Sequence, residues 1–206
     1  MPTILYHSSP LVYLRTKKTG SHAVKWCMKQ YAEQNQVSIL EVRSKDTDRL
    51  DTHKFVSHMP AKDLSKRLDV WDSAYKFTFI RNPWKVIYSY YNYIKYTLPT
   101  YNYQVQESYC LNNLNDFVLS LQDVHGTTNF NKEIYTIDNQ VCADVFDVSS
   151  ISSVMKKLFN VDNVPYQNTQ EYNLNITEFT SAVDNYIYND YEWEINEFAY
   201  TKPTLD

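Results

Sequence analysis

Two segments of this chain share one order of elements: an apolar run, a polar turn and an amphipathic helix. The first starts with the apolar residues 11–14. After a basic turn it enters a pattern whose apolar positions are spaced i, i+3, i+4 and i+7 from Val24. The second starts with residues 75–80, where aromatic residues alternate with polar ones, and continues at Asn82-Pro83, a capping residue followed by proline. Strands that alternate with helices predict right-handed crossovers and an α/β fold, with a central, mostly parallel sheet flanked by helices on both faces.

Weaker patterns along the chain extend this prediction. They indicate two further strands and four further helices, namely strands at 38–42 and 55–58 and helices at 61–68, 115–121, 149–159 and 178–198. Residues 99–138 are the least regular part and are interpreted as an inserted segment that faces the substrate. No internal repeat or low-complexity linker is present, so a single domain over residues 1–206 is expected.

The charge and the apolar content of the chain exclude several classes of partner. A net charge of −4 disfavours nucleic acid and anionic membranes, so an anionic ligand would need a local concentration of positive charge. The longest apolar runs fall far short of the roughly 20 residues that span a bilayer, and residues 1–10 lack the features of a secretory signal. Three scattered cysteines are too few for a disulfide framework or a metal knuckle. A cytoplasmic protein without a metal is therefore expected.

Glycine is almost absent from this sequence. The chain contains 2 glycines, Gly20 and Gly126. A glycine kept against such a bias is expected where the backbone needs a positive φ or a close approach that other residues do not allow. Gly20 lies in the basic turn after the first apolar run, which makes this turn the first candidate site.

The basic turn at residues 15–21 has the composition of an anion site. A turn between a strand and a helix N-terminus presents backbone N–H groups and the positive end of the helix dipole. Lys17 and Lys18 add formal charge. Thr19 and Ser21 add hydroxyl donors, and Gly20 allows the backbone to close around an anion. The nucleoside-triphosphate loop pattern Gly-x-x-x-x-Gly-Lys-Ser/Thr is missing, and a solvated basic turn is the alternative that the spacing leaves open.

The second candidate site follows the predicted strand at residues 75–80. Arg81 comes directly after the strand, and Ser89 follows eight residues later on the predicted helix. The planar guanidinium group of arginine suits a phosphate, and the serine hydroxyl supplies a further donor about 10 Å along the helix from its cap. The alternative interpretation of each residue alone is an arginine that ends a strand and a serine on a polar helix face.

Together the two segments resemble the sulfotransferases that use 3′-phosphoadenosine 5′-phosphosulfate (PAPS), in particular their carbohydrate-type and bacterial branch. Residues 18–21, Lys-Thr-Gly-Ser, are similar to the 5′-phosphosulfate loop of that family, and residues 81–83, Arg-Asn-Pro, with Ser89 are similar to its 3′-phosphate motif. The similarity extends to residues 71–73, 75–84 and 89–91, to Asn168 and to residues 198–200. Lys17 and His22 stand where many relatives have proline and threonine, respectively.

The resemblance implies a P-loop-like three-layer sandwich. It also implies in-line transfer of a sulfuryl group from PAPS to a hydroxyl acceptor such as a carbohydrate, without a metal and with 3′,5′-adenosine bisphosphate as product. Lys18 would act on the bridging oxygen of the leaving group, and Arg81 and Ser89 would hold the 3′-phosphate. The resemblance also implies that the turn binds the 5′-phosphosulfate of PAPS, through Lys17, Lys18, Thr19, Gly20, Ser21 and His22.

A hydroxyl acceptor needs a general base, and His58 is the first candidate because histidine titrates near neutral pH. Members of the resembling branch often carry a histidine between the two phosphate motifs. A structural role for His58, a base at His22 and a carboxylate elsewhere are the alternatives that stay open. The tyrosines at residues 88–96 are interpreted as packing residues and not as a sugar platform.

Two other functions stay open beside the transferase. A small-molecule or nucleotide kinase would share the sheet and an anion loop but would need the glycine pattern that is missing here. A degenerate nucleotide-binding or interaction module would bind the nucleotide without turnover. The residues define neither the acceptor nor the oligomeric state. The small size without a membrane anchor favours a bacterial or viral enzyme.

Overall fold

The computed structural model describes residues 2–6, 8–41, 58–97, 109–165 and 179–203. The chain divides into two compact units. Unit 1 comprises Met1–Ile80 and Asn131–Thr169, and unit 2 comprises Arg81–Phe130 and Gln170–Asp206. The expectation of a single domain over the whole chain stays a prediction.

Unit 1 is built on a five-stranded sheet. Its elements, numbered along the whole chain, are β1 (Thr3–Tyr6), β2 (Leu11–Tyr13), α1 (Ser21–Asn35), β3 (Ser38–Glu41), α2 (Ala61–Ser65), β4 (Tyr75–Ile80), α5 (Lys132–Tyr135), β5 (Thr136–Ile137), β6 (Gln140–Val141), β7 (Asp144–Asp147) and α6 (Ile151–Phe159). The strand order is β3-β1-β2-β4-β7, and β5 and β6 form a separate hairpin. β1 is antiparallel to β2 and β3, whereas β4 is parallel to β2 and β7. Four of the five strands thus run in the same direction, with β1 opposite to them. The predicted α/β fold is confirmed, with a mixed, mostly parallel sheet.

Strand β4 lies inside the sheet, with a parallel neighbour on each side. Phe77, Thr78 and Phe79 are all fully buried. Although Thr78 is a polar residue between two phenylalanines, its face of the strand is buried as well, as is usual for parallel strands and as helices on both faces of the sheet imply. Thr78 is accommodated there because its hydroxyl donates to the carbonyl oxygen of Leu14 at 2.6 Å.

The apolar core of unit 1 joins the sheet to helices α1 and α6. Tyr13 of β2 stacks on Phe77 with ring centroids 5.3 Å apart, and Phe159 of α6 packs against Phe77 at 6.1 Å. Val24 and Met28 are fully buried, which confirms the predicted apolar face of α1. This packing fixes the end of β2 and the start of α1, and with them the two ends of the basic turn.

The described residues of unit 2 are mainly helical. They form α3 (Pro83–Asn92), a π-helical turn (Tyr93–Thr97), α4 (Leu114–His125), α7 (Ser181–Asp190) and α8 (Glu192–Phe198). The core is aromatic: the ring of Tyr90 lies 4.6 Å from that of Phe130 and 5.9 Å from that of Phe117. Tyr90 and Tyr91 are buried and Tyr88 and Tyr93 pack partly against the same core, so their interpretation as packing residues is confirmed. Tyr96 is 56% exposed and does not fit it.

Several elements differ from the prediction. β1, β7 and the β5–β6 hairpin were not predicted, and the helix expected at 178–198 is divided at Tyr191 into α7 and α8. Tyr191 is buried there, and its hydroxyl donates to the carbonyl oxygen of Thr128 at 3.1 Å. Of the predicted strand at 55–58, the described residues include His58 alone; Asn168 and residues 98–108 lie outside them. No helix in the described ranges is long and apolar enough to cross a membrane.

Candidate functional site

The basic turn between β2 and α1 has an uncommon backbone conformation. Lys18 and Gly20 are both in the left-handed region, with φ of 63° and 74°. A Cβ added to Gly20 would lie 2.6 Å from the Cδ1 atom of Ile151. The expectation that Gly20 is kept for a positive φ or for a close approach is therefore confirmed, and both reasons apply. Lys18 adopts the same conformation at a cost of about 1–3 kcal/mol, and such strain is concentrated at functional turns.

Three buried threonines fix the inner side of the turn. Thr16 Oγ1 donates to the carbonyl oxygen of Phe79 at 2.5 Å and lies 2.7 Å from Thr19 Oγ1. Thr78 donates to Leu14 in the same region. All three threonine side chains are fully buried. These bonds connect the turn to the C-terminal end of β4, and burial protects them from competition by water.

Two side chains that are distant in sequence hold the backbone of the turn. His58 Nδ1 lies 2.8 Å from the carbonyl oxygen of Arg15. Asn131 bonds both the N–H and the carbonyl group of Lys17. The side chain of Arg15 reaches forward and donates from Nε to Ser21 Oγ at 3.0 Å. The start of the turn is thus held by contacts from other parts of unit 1.

The bond to Arg15 defines the protonation state of His58. A carbonyl oxygen can only accept, so Nδ1 carries a proton, and in the neutral imidazole Nε2 then has the lone pair. Burial lowers the pKa of His58 to about 2; Lys17 and the Arg15 side chain add to the lowering, whereas the bond to the Arg15 carbonyl opposes it. The imidazole is therefore neutral at physiological pH and has one nitrogen able to accept a proton.

We expect the replacement His58→Asn to change the pH dependence of stability. Because the pKa of His58 is near 6.5 in the unfolded chain and about 2 in the folded protein, only the unfolded state takes up a proton below pH 6.5. The contribution of neutral His58 to the free energy of unfolding is therefore complete above pH 6.5 and is lost as the pH falls. Between pH 6.5 and 5.5 the wild type should lose about 1 kcal/mol more unfolding free energy than His58→Asn.

Denaturant unfolding at pH 7.5, 6.5 and 5.5 measures this difference. Asparagine is the matched replacement because its Nδ2 can keep the bond to the Arg15 carbonyl without titrating. Parallel pH curves for the wild type and the variant would show that His58 titrates normally in the folded protein.

The turn concentrates positive charge in a chain whose net charge is −4. Burial lowers the pKa of Lys17 to about 8. The pKa of His22 is also lowered, first by partial burial and then by Arg15, Lys25 and Lys18. Helix α1 has no acidic residue in its first turn, so the helix dipole adds to these cations. The local positive charge that an anionic ligand requires is present at this turn.

A buried hydroxyl lies beneath the turn. Tyr13 is fully buried, and its hydroxyl approaches Thr19 without a hydrogen bond of ordinary geometry to any described residue. Burial raises the pKa of this phenol, so the hydroxyl stays protonated. An unpaired buried hydroxyl costs about 1–3 kcal/mol. Of the two buried side-chain oxygens without a partner among the described residues, Thr3 Oγ1 and Tyr13 Oη, the second lies at the turn.

The second candidate site lies at the start of α3 in unit 2. Asn82 caps this helix as predicted, since its Oδ1 accepts from the N–H of Lys85 at 3.4 Å. The Nδ2 of Asn82 also donates to the carbonyl oxygen of Thr201 at 2.8 Å. Arg81 and Ser89 are both partly exposed. Ser89 lies seven residues after the cap, about two helical turns, and therefore on the same face of α3.

The predicted residues fall into two groups. In unit 1, residues 17–22 form the turn and the start of α1, and His58 lies against the turn. In unit 2, Arg81 directly precedes the cap of α3, and Ser89 lies within α3. No motif in the sequence indicates the residues that support the turn, namely Tyr13, Thr16, Thr78 and Asn131. Among the residues that the structure describes, no group of three His, Cys, Asp or Glu side chains is arranged to hold a metal.

Comparison with known proteins does not place the chain in a family. No family model, no curated protein and no solved structure matches it.

Proposed function

We propose that this protein is a sulfotransferase that moves a sulfuryl group from PAPS to a hydroxyl acceptor such as a carbohydrate, and that its fold is a P-loop-like three-layer sandwich. The turn at residues 15–21 carries the proposal. It joins a strand of the sheet to a 15-residue helix, and it combines left-handed Lys18 and Gly20 with a concentration of cations. A turn of this kind suits a phosphosulfate group.

The residues of the turn fit the 5′ end of the donor nucleotide. The N–H groups of Ala23 and Val24 donate to the carbonyl oxygen of Gly20, whereas those of Ser21 and His22 precede the first acceptor of the helix. Gly20 at the N-cap provides no side chain to cap them. Lys17, whose pKa is lowered to about 8 by burial, is held more firmly in the charged form when an anion is bound beside it. We therefore assign the 5′-phosphosulfate to Lys17, Lys18, Thr19, Gly20, Ser21 and His22.

The proposed reaction is a single displacement at sulfur. The acceptor oxygen forms a bond to sulfur while the bond from sulfur to the bridging phosphate oxygen breaks. The electron pair stays on the phosphate of the departing 3′,5′-adenosine bisphosphate, and the proton of the acceptor hydroxyl passes to a base. Lys18 is assigned to the bridging oxygen, where it would neutralise the charge that develops as the bond breaks.

We assign the role of base to His58. Its Nε2 has the lone pair that the acceptor proton needs, because Nδ1 is occupied by the Arg15 carbonyl. Burial is the main cause of the low pKa of His58, and the cations Lys17 and Arg15 lower it further. A bound phosphosulfate would offset these two cations and would thereby raise the pKa of the base. His22, also at the turn, is the alternative base. Full activity of His58→Ala at neutral pH would remove His58 from this role.

The 3′-phosphate is assigned to Arg81 and Ser89. The guanidinium group offers two parallel donors, and the hydroxyl of Ser89 lies on the face of α3 that the cap also occupies. Asn82, the residue next to Arg81, supports this assignment because its side chain is held by two bonds. One caps α3 and the other is made to Thr201.

Binding and turnover test the proposed function. We expect 3′,5′-adenosine bisphosphate, at about 100 times its dissociation constant, to stabilise the protein by roughly 2.7 kcal/mol and to raise the melting temperature by about 5–10 °C. ATP with magnesium should produce no such shift. Sulfuryl transfer from labelled PAPS to a panel of sugars, phenols and alcohols then measures the reaction itself.

Each alternative predicts a different result in these assays. A melting shift with ATP and magnesium but not with the bisphosphate would contradict the sulfotransferase and support a kinase. A shift with the bisphosphate but no turnover over a broad acceptor panel would favour a degenerate nucleotide-binding module.

A further inference from the structure

We infer that Asn131 is a positioning residue that clamps Lys17 and thereby presets the turn that carries Lys18. The ligand of this turn rests on the proposed function, whereas the contact between Asn131 and Lys17, the clamp, is a property of unit 1 alone. Asn131 has no place in the sequence motifs, since it lies 114 residues from Lys17 in the chain.

The contact between Asn131 and Lys17 is bidentate. The N–H of Lys17 donates to Asn131 Oδ1 at 2.8 Å, and Asn131 Nδ2 donates to the carbonyl oxygen of Lys17 at 3.1 Å. One side-chain amide therefore holds both backbone polar groups of a single residue, as a neighbouring strand does in a sheet. Asn131 is 4% exposed, so water has little access to compete for these bonds.

The clamp is one of several contacts that hold the turn. Asn131 immediately precedes α5, and α5 packs against α2, which begins three residues after His58. His58 holds the carbonyl of Arg15, while Thr16 is bonded to Phe79 at the end of β4. Three consecutive residues, 15 to 17, are thus held by three different partners before the chain reaches Lys18.

These contacts explain how Lys18 is kept in a left-handed conformation. A lysine has no intrinsic preference for positive φ, so the surrounding structure has to impose it. The two bonds at Lys17 fix the peptide that leads into Lys18. Without them, the turn is free to relax to ordinary conformations and the Lys18 amine loses its defined position. Because a misplaced donor costs more in the transition state than in the bound product, turnover should fall more than bisphosphate affinity.

The first test of the clamp needs no substrate. In Asn131→Ala, we expect the backbone amides of residues 17–20 to exchange hydrogen at least tenfold faster than in the wild type, measured without ligand. Asn131→Asp is a half clamp, because its carboxylate can accept from the Lys17 N–H but cannot donate to the Lys17 carbonyl, and its exchange should be intermediate. This isosteric variant also covers the case in which Asn131→Ala does not fold.

Asn129→Ala is the matched control. Asn129 is also a buried asparagine, 2% exposed, but its Nδ2 donates to Glu194 and to the backbone of Asp190 in unit 2. Its replacement should lower the melting temperature and leave exchange in the turn unchanged. Equal exchange in the turn for all of these variants and the wild type would overturn the clamp.

Turnover then tests the positioning role. Below the melting temperature of each variant, kcat of Asn131→Ala should fall at least tenfold, while its dissociation constant for the bisphosphate changes less than threefold. Asn129→Ala should keep the kcat and the dissociation constant of the wild type. Full kcat in Asn131→Ala, or an equal loss in Asn129→Ala, would contradict positioning. If the wild type neither binds the bisphosphate nor transfers sulfuryl groups, the proposed function fails, and the exchange experiment still decides the clamp.

Discussion

Replacement of Lys18 by alanine is expected to lower kcat by about 10²–10³-fold. A single donor placed where charge develops contributes roughly 2.7–4 kcal/mol to the transition state. Lys18 is assigned to the bridging oxygen, whose charge grows only as the bond to sulfur breaks. The bisphosphate already carries its full charge and keeps the other donors of the turn, so its affinity should change less than tenfold. Steady-state kinetics with PAPS and calorimetric titration with the bisphosphate measure the two quantities.

Lys29→Ala controls for the loss of one positive charge. Lys29 lies on the same helix, α1, but is exposed and two turns beyond the basic turn. Its replacement should leave kcat and affinity within about twofold of the wild type, because exposed charges at that distance are largely screened. Equal losses of kcat and of bisphosphate affinity in Lys18→Ala would mean that Lys18 binds the nucleotide and takes no special part in the transition state.

The elements that the sequence predicted well have strong local signals. The α3 helix starts at Pro83 because Asn82 is a good cap and proline suits the first helical position, and both signals lie side by side in the chain. β7 (Asp144–Asp147) was missed because it begins and ends with aspartate and none of its residues is fully buried. Its strand character comes from pairing with β4, which no local pattern in residues 144–147 indicates.

The same distinction applies to the candidate site. Residues 17–21 were predicted because charge, hydroxyl groups and a rare glycine occur together in one turn. Asn131 was missed because its partner is a backbone group far away in the chain, and neither residue type indicates such a bond. Thr78 was interpreted as a polar position of an alternating strand, whereas it is buried. The low pKa of His58 likewise depends first on burial, which tertiary packing creates and the sequence does not display.

Replacement of Arg81 by alanine is expected to reduce the affinity for 3′,5′-adenosine bisphosphate by about 2–3 kcal/mol, or roughly 30–150-fold. The loss of affinity reflects a charged, bidentate contact with the 3′-phosphate that no other predicted residue replaces. Calorimetric titration of the wild type and Arg81→Ala gives the two dissociation constants. Unchanged binding of the bisphosphate would remove Arg81 from the site.

A second ligand turns this measurement into a test of which phosphate Arg81 holds. Adenosine 5′-monophosphate lacks the 3′-phosphate, so its affinity should differ less than threefold between the wild type and Arg81→Ala. The preference of the wild type for the bisphosphate should then largely disappear in the variant. Arg67→Ala, which removes an exposed arginine after α2, should affect both ligands less than twofold. Because a general change in the electrostatic field would weaken both nucleotides alike, equal losses for the two ligands in Arg81→Ala would contradict the 3′-phosphate assignment.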